Sequence, residues 1–302
     1  MRKFLVKILI FFAIIAIVDY CSGTLFSFFL GHAKGGDSGR SNYICDKVNE
    51  DVLVFGSSRA IHHYNPVIIS DSLGLSCYNC GETGNGVILN YGRYQLICQR
   101  YSPKILIYDV IPTFDYLVGV DNHQYLGKLR PYYDRRGIPE IFNSVDNKEK
   151  YKMRSCMYRY NSRFVQILSD YIHPLQSVGI RGFRPLKDEM DTMKIGRKER
   201  FSLDLVCDSI KLKYLKKMIE LSGHTKIIFT VSPYWNGLDT AFLSPIKEIC
   251  QDYQIPIIDF SNSEKYVHHN EFFNDGVHLN ARGADEFTRD LVIEIKKRKL
   301  VQ

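Results

Sequence analysis

The sequence predicts an α/β protein: a five-stranded, mostly parallel sheet with helices on both faces, preceded by one transmembrane helix. Three observations carry that reading. Short apolar, β-branched runs alternate with segments whose apolar residues recur at helical spacing. Five such runs are separated by helical segments, the arrangement parallel strands with right-handed crossovers require. The first 30 residues are almost continuously apolar.

The elements follow in chain order. Arg2, Lys3 and Lys7 precede Ile8 to Val18, an uncharged apolar run, and after Asp19 the apolar character resumes from Leu25 to Leu30. A cleaved leader would need a small-residue site after this run, and no A-x-A pattern is present. Phe4 to Leu30 is long enough to span a bilayer, so residues 1–30 are read as a membrane anchor (a signal-anchor). The basic residues at its start stay inside and send the bulk of the chain out of the cytoplasm, to a periplasmic or cell-surface location. Residues 31–48, rich in Gly and Ser, read as a linker, and residues 49–302 as the functional domain.

Asp51–Phe55 is the first strand, Pro66–Leu73 a helix and Leu75–Tyr78 the second strand. Val87–Tyr101 is a helix, and Pro103 precedes a third strand at Ile105–Val110. After the interruption come a helix at Leu205–Leu221, a strand at Lys226–Val231 and a helix at Ser244–Tyr253. A strand at Ile255–Phe260 and a closing helix at Ala281–Lys297 complete the sheet. Thr113–Asp204 breaks the rhythm with a polar, tyrosine-rich stretch in which Lys148–Ile172 reads as one helix. A structureless loop of that size is improbable. The segment is read as an insertion from the carboxyl end of the third strand, where open α/β sheets bind ligands, and so as a wall of the substrate site.

Composition narrows the function. Hydrophobic residues make up 45 % and charged residues 24 %, a globular balance that excludes extended disorder. The net charge of +7 is modest, its excess lying between Lys128 and Arg200, and no basic run approaches a nucleic-acid-binding arm. Among eight scattered cysteines the only C-x-x-C is Cys77–Cys80, without a second pair or histidines at ligand spacing. No metal or cofactor is therefore expected, and the cysteines are read as buried thiols with at most one disulfide.

Candidate chemistry begins at "VLVFGSSRAIHHYNP", Val52–Pro66. Ser57 and Ser58 follow a buried strand directly and precede a helix, which exposes a side chain at the sheet's carboxyl edge. Ser38, in the literal "GDS", has no strand before it. A serine hydroxyl needs a base. His62 and His63 lie just past the serine turn and are read as surface or packing residues. Asp275 and His278, in "EFFNDGVHLNARGADEF", lie three apart in a loop that opens the last helix. That spacing lets the carboxylate accept a hydrogen bond from the Nδ1 proton and leaves Nε2 free to take the serine proton.

On these residues the chain resembles the SGNH (GDSL-type) hydrolases. Gly56-Ser57-Ser58-Arg59 is similar to their first block, with Ser57 where Asp is usual, and Asp275-Gly276-Val277-His278 to their last. The resemblance implies a flavodoxin-like three-layer sandwich, with Ser58 as nucleophile, His278 as base and Asp275 as its orienter. It implies an oxyanion hole from the Ser58 N–H and from Gly81, in "YNCGETGNG" after the second strand. The third strand ends "YDVIPTFDY" without the family's Asn, and Asn85 is the substitute considered. Tyr234 and Trp235, after the fourth strand, are read as substrate-binding residues able to stack on a sugar or acyl group. The G-x-S-x-G elbow of the α/β-hydrolase fold is absent. The function expected is a serine esterase that removes acyl groups, acetyl above all, from a glycan or related ester. An O-acyltransferase with the same triad, and an inactive glycan- or partner-binding module, are the alternatives.

Overall fold

A computed structural model describes residues 1–175, 179–191 and 205–301. The parts of the expected insertion at 176–178 and 192–204 lie outside the described residues. In chain order the helices and strands are α1 (Arg2–His32), α2 (Gly36–Asp46), β1 (Val52–Phe55), α3 (Ser58–His63), α4 (Pro66–Leu73), β2 (Cys77–Asn79) and α5 (Val87–Cys98). Then come β3 (Ile105–Asp109), α6 (Pro112–Asp115), α7 (Ile138–Val145), α8 (Glu149–Lys152) and α9 (Phe164–Ile172). The chain closes with α10 (Ser209–Leu221), β4 (Lys226–Val231), α11 (Ser244–Asp252), β5 (Ile257–Asp259) and α12 (Ala281–Lys297). Two compact units result: Met1–Lys47 with Leu126–Val178, and Val48–Tyr125 with Gly179–Gln302.

The second unit holds the sheet. Its order is β2-β1-β3-β4-β5 and every pairing is parallel. This is the flavodoxin-like order, with the switch point between β1 and β3. The side-chain period of two sorts the strands onto two faces. Val52, Val54, Ile105, Ile107 and Ile228 pack with Ile69 of α4 and with Phe287, Leu291 and Ile295 of α12. On the opposite face Phe55 meets Tyr94 edge-on, Asn90 donates to the Tyr108 hydroxyl, and Tyr91 of α5 lies against Tyr214 of α10. All four residues of β1 and all five of β3 are buried, which is why both strands read as continuous apolar runs.

The first unit departs from expectation at two places. The stretch read as a linker contains α2, and eight of its residues are buried. Its Gly and Ser content is local information, whereas the helix is held by distant partners. Ser38 N–H donates to Asp170 (2.8 Å), and the Asn42 amide donates to the carbonyls of Leu30 (2.6 Å) and Ala33 (3.1 Å). The helix expected over Lys148–Ile172 is broken into α8, a 3₁₀ turn at Met157–Tyr160, and α9. Asp19 draws the Ser155 hydroxyl and the N–H groups of Cys156 and Met157 to its carboxylate, and Ser162, at φ +67°, turns the chain before α9.

None of the eight cysteines is in a disulfide, and Cys45, Cys77, Cys80 and Cys250 are buried.

Candidate active site

Ser58 is placed by the turn between β1 and α3. Gly56 makes that turn at φ +142°, and a Cβ there would sit 2.7 Å from the Asp109 carbonyl oxygen, so only glycine fits. Ser57 is the helix N-cap, and its buried hydroxyl has no hydrogen-bond partner among the described residues. Ser58 is the first residue of α3, so its N–H has no intrahelical acceptor.

His278 reaches Ser58 across 220 residues of sequence, with Nε2 2.8 Å from Ser58 Oγ. Its loop is a small bridge, Phe273 against Leu279, that leads into α12. Asp275 Oδ1 accepts from the N–H groups of Val277 (2.9 Å) and His278 (2.8 Å), a turn that fixes the carboxylate. The same carboxylate receives the His278 ring, with Nδ1 2.9 Å from Oδ2 and 3.1 Å from Oδ1. A carboxylate only accepts, so Nδ1 carries the proton and Nε2 is left to accept from the Ser58 hydroxyl. Burial works to raise the Asp275 carboxyl, but the bonds from the His278 ring and from Val277 and His278 N–H outweigh it and hold it below the usual range. Asn280 caps α12 by accepting from Gly283 N–H (2.9 Å), and its amide ties back to Glu271 O (3.0 Å). At Gly283 a Cβ would lie 2.0 Å from the Phe272 carbonyl oxygen, so the loop and helix meet only through glycine.

Three further residues support this arrangement, and sequence reasoning gave them no role. His63 is fully buried, and its Nε2 accepts from Leu279 N–H (3.0 Å), next to the proposed base. Nδ1 therefore donates to Ser232 Oγ (2.9 Å). Burial, then the Arg59 charge, keeps the ring neutral by pushing its pKa well down. Arg59 is buried between strands: Nε (3.0 Å) and Nη2 (2.7 Å) donate to Ser232 Oγ, and Nη2 also donates to Ser232 O and to Pro233 O (3.1 Å). Asp109, at the end of β3, lies 3.9 Å from Arg59 Nε and accepts from the Tyr64 hydroxyl (2.5 Å) and Ser232 N–H (3.0 Å). A readable signal existed, since a carboxylate closing an otherwise apolar strand must find a partner. His62, by contrast, bonds the Arg184 carbonyl through Nδ1 (2.6 Å) and meets the His278 ring edge-on (5.7 Å between centroids).

A cavity of about 370 Å³ opens beside Ser58 and His278. Ile111, Pro112, Phe114, Leu238, Phe242 and Val277 give it apolar walls, and Thr113, Arg59 and Tyr234 complete them. It lies at the carboxyl ends of β1 and β3, beside the switch point. Of the expected insertion, Thr113 and Phe114 line this cavity.

Several expected site residues are placed differently. Gly81 N–H is donated to Asn79 Oδ1 (3.0 Å), so it closes its own turn and is not an open oxyanion donor. Asn79 in turn donates to Ala60 O and Tyr64 O, which locks β2's exit onto α3. Asn85 donates to Thr83 O (2.9 Å) within its own loop and does not line the cavity. Trp235 does not line it either: Nε1 donates to Asn270 Oδ1 (2.7 Å) and the ring meets His268 edge-on. Tyr234 does line it, with one ring face covered by the Arg59 guanidinium 3.5 Å from its centroid, so that face cannot stack on a ligand.

No protein-family model matches the sequence, and no curated protein matches it. Solved structures do. The likeness is to GDSL-type lipolytic proteins and carbohydrate esterases. A protein from Desulfitobacterium hafniense assigned to the G-D-S-L lipolytic family is 9 % identical, with 80 % of this chain and 98 % of that one aligned at a TM-score of 0.40. A lipase/acylhydrolase from Enterococcus faecalis is 14 % identical over 82 % of this chain and 95 % of that one, TM-score 0.40. A family two carbohydrate esterase from Clostridium thermocellum is 10 % identical over 82 % of this chain and 64 % of that one, TM-score 0.38. At such identities and scores the likeness assigns no residue and no substrate. The strand order and the site geometry are this chain's own.

Proposed function

We propose that this chain is a serine-dependent carboxylic ester hydrolase of SGNH type, anchored by α1 with its second unit outside the cytoplasm. The observation that carries the reading is the continuous hydrogen-bonded line Asp275–His278–Ser58, at 2.9 and 2.8 Å. Ser58 Oγ attacks the ester carbonyl carbon while its proton passes to His278 Nε2. Asp275 stabilises the imidazolium so formed. Collapse of the tetrahedral adduct breaks the C–O bond to the alcohol, which takes that proton and leaves an acyl-Ser58. Water then attacks with His278 again as base, and carboxylate and free serine are released. The Ser58 N–H is one oxyanion donor. Thr113, in α6 after β3 and on the cavity wall, is the candidate for the second.

The cavity receives the acyl group. Its walls are apolar and about 370 Å³ leaves room for acyl groups from acetyl to a chain of several carbons. The acetyl preference read from the sequence is thus a question of chain length. An acylated glycan as the alcohol part rests on the extracytoplasmic placement; no sugar platform at Trp235 supports it.

A fluorophosphonate probe tests the reading. The folded protein is expected to label, and Ser58→Ala to abolish labelling and reduce ester turnover by at least about 10³-fold. A folded wild-type chain that stays unlabelled overturns it. Chromogenic esters of increasing acyl length then map the cavity.

A further inference from the structure

We propose that α9 is a second membrane contact, lying in the outer interface of the bilayer that α1 crosses. The observation starts on the surface of α9. Val165, Leu168, Ile172 and the following Leu175 are 83 %, 39 %, 58 % and 97 % exposed. Stepped at about 100° per residue, Val165, Leu168 and Ile172 fall on one arc of the helix, and Leu175 lies past its end at Ile172. Ile167, Asp170 and Tyr171 occupy the arc turned to the rest of the unit: Ile167 and Asp170 are fully buried, and Tyr171 packs on Phe29. Gln166 and Ser169 form a third, polar arc, and His173 caps the helix. A helix with separate core, apolar-exposed and polar sectors has the build of one that lies in a lipid interface.

The occupant follows from α1. Its residues Phe4 to Val18 present an exposed apolar surface, and the helix is long and apolar enough to cross a membrane. A hydrocarbon core about 30 Å thick takes about 20 helical residues. Counted from Phe4 it ends near Gly23. Asp19 then falls just inside, and its charge is met by the Ser155 hydroxyl (2.5 Å) and the N–H groups of Cys156 (2.7 Å) and Met157 (3.1 Å). Phe26 and Phe29 come three to six residues later, at the interface, and that is the level at which α9 packs.

The packing agrees. Phe26 touches Phe164 (4.6 Å between centroids) and Phe29 touches Tyr171 (5.0 Å). Seven residues of α9, about 10 Å of rise, are spanned against three of α1, about 4.5 Å. These contacts hold the length of α9 against the stretch of α1 just past the span. At that level of α1, Leu25 and Phe28 are themselves 50 % and 48 % exposed.

The test uses the full chain reconstituted in liposomes that contain a diazirine phospholipid. After photolysis, peptides carrying lipid adducts are mapped by mass spectrometry. Adducts are expected on α1 and on the peptide holding residues 165–175. In the triple variant Val165→Asp, Leu168→Asp, Ile172→Asp, adducts on that peptide should fall at least about five-fold while those on α1 persist. The proposal is overturned if α1 labels and residues 165–175 of the wild-type chain do not, or if α1 itself fails to label. None of these readouts involves ester turnover, so they stand apart from the proposed activity.

Discussion

Asp275 holds two kinds of bond at once, and the pH behaviour of the site depends on both. Its Oδ1 closes a turn on two backbone N–H groups, and its Oδ2 orients the His278 ring. The held carboxyl titrates below its ordinary value of about 3.9. A folded-state pKa lower than the unfolded one contributes stability above about pH 4, and that contribution is lost as pH falls through the folded value. Asp275 therefore stays ionised through neutral and mildly acidic pH. Replacing Asp275→Asn should leave the fold intact and lower kcat by about 10³–10⁴-fold, because an amide can present a donor to Nδ1 and favour the wrong tautomer. Steady-state kinetics with circular dichroism on the same sample checks this. Equal kcat in the variant would remove Asp275 from the mechanism. The pair was legible in the sequence because a three-residue spacing is a local property. His63 was not, since its hydrogen bond to Leu279 N–H spans 216 residues.

Elements next to the site are held by buried groups that couple them to pH. The loop from β3 through α6 carries Ile111, Pro112, Thr113 and Phe114 into the cavity wall. Asp115 anchors it, accepting from the Ile111 N–H (2.7 Å) and the Tyr108 hydroxyl (2.6 Å). Burial pushes this carboxyl up to about 7. Here the sign is opposite to that of Asp275. The folded chain keeps a proton that the unfolded chain loses above about pH 4, so stability falls as pH rises from about 4 to 7 and levels off above. Over that window the loss is on the order of 4 kcal/mol. Asp115→Asn removes the titration. The stability of wild type minus that of the variant should therefore drop by a few kcal/mol between pH 4 and 7, measured by urea unfolding in detergent. A flat difference would show that the carboxyl is not protonated in the fold. Helices with strong local signals, Pro66–Leu73 and Ala281–Lys297, were readable to the residue. The break between α8 and α9 was not, because Asp19 makes it from a distance.

Across the whole second unit, one buried network joins β1, β3 and β4 under the site. Arg59 follows β1, Asp109 ends β3, and Thr230 and Ser232 belong to β4 and its exit. Arg59 and Asp109 are 2 % and 0 % exposed, so removing either partner leaves a charge without compensation. Asp109→Ala should cost about 3–5 kcal/mol, far more than an exposed pair. Thermal unfolding measures it, and a loss below about 1 kcal/mol would mean that the pair is not needed to hold the strands. By itself the sequence determined the class of fold, the strands, the serine turn and the Asp–His loop, all of which follow from periodicity and short spacings. Only the tertiary structure decided that Gly81 is spent on its own turn, that the supposed linker is a buried helix, and which residues wall the cavity. Those outcomes depend on partners tens to hundreds of residues away, and no local pattern encodes which buried hydrogen bond a group finally makes.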